Sequence, residues 1–191
     1  MSAPIQLGVL LSGSGRTLQN LIDRIAAGRL AATVRCVVAD RPDAFGLERA
    51  RRAGVPAFHE RDHDRVFALM REHEVGLVCL AGYLRLLPIP SDYRHAILNI
   101  HPALLPKHGG KGFYGDRVHR AVLEAGERES GCTVHLCDEE YDRGQVLVQR
   151  RVPVAPDDTV ESLAARVFAA ECEAYPEAIK RWVEARSAGR L

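Results

Sequence analysis

The chain has 191 residues, 26 Lys+Arg against 25 Asp+Glu and a formal charge of +1, a length that suits one domain and buries roughly 70% of the unfolded surface. Its 47% hydrophobic and 27% charged residues exclude a disordered chain, and the near-neutral balance argues against a nucleic-acid partner, whose phosphates demand a basic surplus. No apolar run reaches the ~20 residues of a membrane span, and Met1-Ser2-Ala3-Pro4 opens no signal peptide, so the expectation is a cytoplasmic protein with no membrane partner.

In chain order, Gln6–Leu11 reads as a buried strand, followed by a turn at Ser12–Arg16. Leu18, Leu21, Ile22 and Ile25 repeat at helical spacing up to Gly28. Thr33–Val38 is a second strand, Phe45–Ala53 a helix closed by Gly54, Val55–Phe58 a short strand, and Val66, Leu69 and Met70 mark another helix. Val75–Leu80 and Ala96–Ile100 are further apolar strands joined by residues 81–93. This alternation predicts an α/β fold, a Rossmann-like, doubly wound and mostly parallel sheet. After a glycine-rich stretch at His108–Gly112, Val118, Ala121 and Val122 mark a helix. Cys132–Leu136 and Gln145–Val154 then read as an antiparallel pair on one edge. Asp158, with Glu161 three residues on, is the expected cap of a last helix whose apolar face carries Leu163, Val167, Ala170 and Ile179. With no repeat or linker, residues 1–191 read as a single domain.

Three sets of residues could carry chemistry. The Ser12-Gly13-Ser14-Gly15-Arg16-Thr17 loop opens a helix, where backbone N–H groups favour an anion. It is neither a P-loop nor a good dinucleotide fingerprint, since Leu18 stands where the third glycine belongs. A plain tight turn and a phosphate site both fit it; Arg16 and Thr17 favour phosphate. Asn99 and His101, two apart on a strand, point to one face, and Pro102 puts them at its carboxyl end. An amide beside an imidazole suits a reaction in which a carbonyl oxygen becomes negative, although a structural hydrogen-bonded pair would look the same. The acidic loop of Asp138, Glu139, Glu140 and Asp142 is a solvated turn, a metal candidate, or the source of one carboxylate that orients and charges His101. No compact ligand set accompanies it; His59 and His63 read as an exposed pair, and no metal is expected. The five cysteines form no CxxC pair and read as reduced thiols.

Leu80–Leu87 (LAGYLRLL), Asn99–Pro106 (NIHPALLP), and Thr133-Val134-His135 followed by Tyr141-Asp142-Arg143-Gly144 make the chain recognisable. It resembles the phosphoribosylglycinamide formyltransferase family over nearly its whole length, and the loop before Leu18-Gln19 selects this branch of the folate formyltransferases. The resemblance implies the formyltransferase fold. It also implies formyl transfer from 10-formyltetrahydrofolate, as co-substrate, to the amine of phosphoribosylglycinamide, a step of de novo purine (IMP) biosynthesis. Small molecules would be the only partners. Residue by residue it implies a catalytic trio of Asn99, His101 and Asp142, a phosphate loop of Gly15, Arg16 and Thr17, and Glu171 on the ribosylglycinamide. Leu84, Arg85, Leu86, Leu87 and Asn99 would line the folate site, with Arg61 as a folate-side arginine. Asp142 would hold His101 protonated by raising its pKa.

The sequence departs from the family at three places. Arg16-Thr17 replaces the commoner Ser-Asn, the loop 108–114 is longer and richer in glycine, and Ala103 replaces a frequent serine. Two related enzymes fit less well. A formyltetrahydrofolate hydrolase is expected to carry an amino-terminal regulatory domain. A formyltransferase acting on initiator tRNA is expected to carry a further carboxyl-terminal domain and a basic surplus. A non-catalytic nucleotide-binding module would be favoured by loss of Asn99, His101 or Asp142, and all three are present.

Overall fold

A computed structural model describes residues 3–191, and the chain divides into two compact units between Leu98 and Asn99. The strands are β1 (Ile5–Leu11), β2 (Ala32–Ala39), β3 (Ala57–His59), β4 (Leu77–Leu80), β5 (Ile97–His101), β6 (Glu129–Leu136) and β7 (Val146–Pro153). The helices are α1 (Arg16–Ala26), α2 (Phe45–Arg52), α3 (His63–Glu72), α4 (Asp116–Glu124) and α5 (Val160–Ser187). The seven strands form a mixed sheet in the order β3-β2-β1-β4-β5-β6-β7, with parallel pairs β1–β2, β1–β4 and β2–β3 and an antiparallel pair β6–β7. This is the expected α/β architecture with its antiparallel edge.

In the first unit, β1 is buried on both faces: Leu7, Val9, Leu10 and Leu11 have no exposed surface. A strand covered on both sides reads as a continuous apolar run, which is what its sequence shows. Consecutive strands leave β1 on one side through β2 and β3 and resume on the other at β4. At such a reversal the loops after the two central strands part and leave a crevice at their carboxyl ends. Here those loops are tied together: the Ser12 N–H donates to the Gly82 carbonyl (3.0 Å), and the Leu84 N–H donates to Ser12 Oγ (3.1 Å). α3 is capped by Asp62, whose carboxylate accepts from the Arg65 N–H at 3.0 Å and so satisfies one of the first turn's free donors.

In the second unit, the 28-residue α5 buries Leu163, Val167, Tyr175, Ile179 and Trp182. Two local expectations are corrected. β6 begins at Glu129 rather than Cys132. A Cβ at Gly131 would lie 1.9 Å from the Arg150 carbonyl oxygen, so its glycine allows the strands to approach. The cap of α5 is Thr159, not Asp158: Thr159 Oγ1 accepts from the Ser162 N–H (3.2 Å) and Ser162 Oγ from the Thr159 N–H (2.9 Å). Asp158 is drawn away by a two-point pairing with Arg166 at 2.6 and 2.9 Å; charge-assisted fork bonds of this kind are the stronger ones.

Candidate active site

The carboxyl end of β5 delivers Asn99 and His101 from one face of the strand, as their i, i+2 spacing requires. Asp142 reaches them from the loop between β6 and β7, in a left-handed conformation (φ 57°) that a non-glycine residue adopts only where its surroundings hold it. Its side chain is 8% exposed and every oxygen is engaged. Oδ1 accepts from Asn99 Nδ2 at 3.2 Å and lies 3.4 Å from His135 Nε2. Oδ2 accepts from the Gly110 N–H at 2.9 Å and lies 3.4 Å from His101 Nδ1. One carboxylate therefore fixes two strands' polar side chains and the start of the glycine-rich loop.

The hydrogen bonds specify protonation. His101 Nε2 lies 2.8 Å from the His108 carbonyl oxygen, which can only accept, so this nitrogen carries the hydrogen in the neutral ring. A second proton would sit on Nδ1, facing Asp142. His135 Nδ1 lies 2.8 Å from the Leu136 carbonyl and is likewise a donor. In the neutral ring this leaves Nε2 to accept the second hydrogen of Asn99 Nδ2, 3.2 Å away. The Asn99 amide is thus held from two sides.

The expected upward shift of the His101 pKa is corrected by its burial. The ring is 4% exposed, and burial pushes its pKa below the ordinary histidine value despite the opposing Asp142 charge and the His108 carbonyl. Removing an imidazolium from water costs more here than one carboxylate at 3.4 Å returns. For Asp142 burial also acts, upwards, but the neighbouring His135 and His101 rings and the Gly110 N–H together hold it below the usual carboxylate range.

The other expected residues fall in two places. In the first unit, Gly15 ends the loop in the left-handed region (φ 70°) and Arg16 begins α1, with Arg16 exposed and Thr17 half-buried. In the same unit, Leu84 and Leu86 are 44% and 43% exposed while Leu87 is buried. Arg85 Nη1 donates to the Arg61 carbonyl, which brings these two residues together. In the second unit, Glu171 is half-buried on α5 and its charge acts with burial on the Cys132 thiol. Cys36 and Cys132 are pushed up to about 12, chiefly by burial, so neither is a thiolate nucleophile. His63 is not exposed as expected: it is half-buried, and burial lowers its pKa, while His59 is exposed. Among the described residues no cluster of three or more His, Cys, Asp or Glu side chains could hold a metal ion, and no helix is long and apolar enough to cross a membrane. Three groups the residue-level reading missed belong to the cluster: the His135 ring, the His108 carbonyl and the Gly110 N–H. For His135 the signal was its two-residue spacing from Thr133 on a strand leading into the acidic loop.

A formyl transferase family model matches residues 6–179. Phosphoribosylglycinamide formyltransferase of Haemophilus influenzae is 37% identical over 192 residues, covering 95% of this chain and 88% of the relative. The chloroplastic phosphoribosylglycinamide formyltransferase of Vigna unguiculata is 38% identical over 95% of this chain, which spans only 62% of that relative's length. Among solved structures, glycinamide ribonucleotide transformylase 1 from Symbiobacterium toebii matches with a TM-score of 0.87 at 42% identity, covering 94% of this chain and 87% of that one. Asn99, His101 and Asp142 therefore lie on a scaffold shared along almost the whole chain, and this protein belongs to the formyl transferase family, among its phosphoribosylglycinamide formyltransferases.

Proposed function

We propose that this protein transfers the formyl group of 10-formyltetrahydrofolate to the amine of N1-(5-phospho-D-ribosyl)glycinamide, giving the N-formyl product and tetrahydrofolate. The observation that carries the reading is Asp142, bonded to Asn99 and 3.4 Å from His101 Nδ1, at the end of β5. The substrate amine is the nucleophile, so no side chain need form a covalent intermediate. Its nitrogen bonds the formyl carbon, the carbon–N10 bond of the folate breaks, and one proton passes from the amine to N10.

Charge develops on the formyl oxygen, and the cluster suits that moment. His101 holds a hydrogen on Nε2, now given to the His108 carbonyl; the formyl oxygen would take that carbonyl's place as acceptor. Asn99 would add the amide hydrogen that it now directs at His135. As the oxygen becomes negative, a second proton on His101 gains both the oxyanion and Asp142 as counter-charges. The interaction is therefore stronger in the transition state than in the resting protein, which is what accelerates a reaction.

The same reading assigns Gly15, Arg16 and Thr17 to the substrate phosphate and Glu171 to the ribosylglycinamide. It assigns Leu84–Leu87, Asn99 and Arg61 to the folate. It treats residues 1–191 as one formyltransferase domain, supported by a family match in a single stretch. It also takes small molecules as the only partners, without a metal, in the cytoplasm. The test is an assay with both substrates and with the amine omitted. Tetrahydrofolate release only when the amine is present is the expected result, and rapid deformylation without it would replace the reading with a hydrolase.

A further inference from the structure

The loop proposed to take the phosphate has one crowded face and one open face. A Cβ at Gly15 would lie 2.5 Å from the Gly46 Cα, at the start of α2, whereas a Cβ at Gly13 would meet nothing within 4 Å. On the crowded side α2 holds two loop carbonyls: the Gly46 N–H donates to the Gly13 oxygen (3.1 Å), and Arg49 Nε donates to the Ser14 oxygen (2.9 Å). The same guanidinium donates through Nη1 to Gln19 Oε1 on α1 (3.2 Å) and stacks over the Phe45 ring at 5.0 Å.

In a trans peptide the carbonyl and the following N–H point in opposite directions. Tying the Ser14 carbonyl to Arg49 therefore aims the Gly15 N–H away from α2, and tying the Gly13 carbonyl to Gly46 does the same for the Ser14 N–H. Both donors are turned from the crowded face, and Arg49 places a permanent positive charge behind them. We propose that Arg49 is a positioning residue for the substrate phosphate, which sets the direction of the Gly15 N–H through the Ser14 carbonyl. The proposal rests on the reading of Gly15–Thr17 as the phosphate site.

Geometry and charge can be separated. Lysine at position 49 keeps the charge but cannot reach Ser14 and Gln19 at once from two points of a rigid fork. Arg49→Met and Arg49→Lys should each raise the KM for the ribonucleotide about tenfold, the scale of one hydrogen bond from a charged group. The kcat and the KM for 10-formyltetrahydrofolate should stay within about twofold, because neither depends on a correctly aimed phosphate donor. Gly13→Val, which fills only the open face, serves as the control for the phosphate reading and should raise the same KM.

Should Gly13→Val raise that KM while both Arg49 variants leave it unchanged, the phosphate site stands and the role of Arg49 is overturned. If none of the three moves it, the phosphate reading fails and takes the proposal with it. Equal damage to both KM values and to kcat in the Arg49 variants makes Arg49 a purely structural residue and also overturns the proposal. Thermal unfolding of each variant identifies any that lose the fold. Arg49→Lys, the gentler change, then decides the matter.

Discussion

Asp142 shows how much one side chain arranges: it accepts from Asn99 and Gly110 and lies within ion-pair distance of His101 and His135. Because burial lowers the His101 pKa and Asp142 opposes that shift, removing the charge leaves burial unopposed. NMR titration should place the His101 midpoint below ~6.5 in the native protein, and Asp142→Asn should move it lower still. A midpoint that is unchanged or higher in the variant would remove Asp142 from the control of His101. Asn99→Ala, which deletes a proposed oxyanion donor without touching the imidazole, should cut kcat by ~10²-fold or more; a well-folded variant with near-full kcat would end that role. Asn99 and His101 were legible because strand alternation is local. The contribution of Asp142 came through the family resemblance, since nothing in its own spacing says that a loop 41 residues on turns inward. His135 was legible only as a position on the strand leading into the acidic loop, and the His108 carbonyl not at all, because their part depends on which strand and loop come to lie beside β5, a long-range pairing that periodicity does not encode.

At the scale of elements, α1 and α2 are matched through glycine. Gly15 combines φ 70° with a would-be Cβ 2.5 Å from the Gly46 Cα, and a Cβ at Gly46 would lie 2.4 Å from Leu11 Cδ2. Gly15→Ala therefore adds left-handed strain to a backbone collision and should destabilise the fold by about 2 kcal/mol or more. Gly13→Ala, with open space above it, should change stability by no more than about 0.5 kcal/mol. Urea unfolding of the two variants checks the contrast; equal losses would mean that α1 and α2 are not in the contact described. The strands of the first unit were readable since β1, β4 and the second half of β2 are largely buried apolar runs between turn signals. The start of β6 was hidden by Glu129-Ser130-Gly131, a polar and glycine-containing triplet that is strand only because β7 pairs with it. The α5 cap was misplaced by one residue for a related reason: Asp158 is a good cap in isolation, but Arg166, two helical turns away, pairs with it.

The whole molecule carries a pH dependence that follows from three histidines. His63, His101 and His119 are each lowered below the ordinary histidine value, mainly by burial. Their charged surroundings do not reverse this: Arg85 adds to the lowering at His63 against Asp62 and Asp64, while Asp116 opposes it at His119. At His101, Asp142 opposes the lowering while His135 and His108 add to it. In the unfolded chain each histidine takes a proton near ~6.5, but the folded protein resists until a lower pH. Between those two points the unfolded state binds more protons, so stability rises with pH and falls on acidification through that window. The carboxylates Asp142 and Asp158, both held below their ordinary range, have the same sign but act only at more acid pH. Thermal unfolding should therefore give a Tm that is level above about pH 7 and declines from pH 7 to 5, ahead of carboxylate protonation. His119 is the cleanest position for the test, because it is 5% exposed, its Nδ1 has no hydrogen-bond partner, and it is outside the proposed catalytic trio. His119→Gln cannot take up the proton, and its Tm should decline less steeply over the same range. A wild-type Tm that stays level down to pH 5 would show that these histidines charge in the folded state as readily as in water.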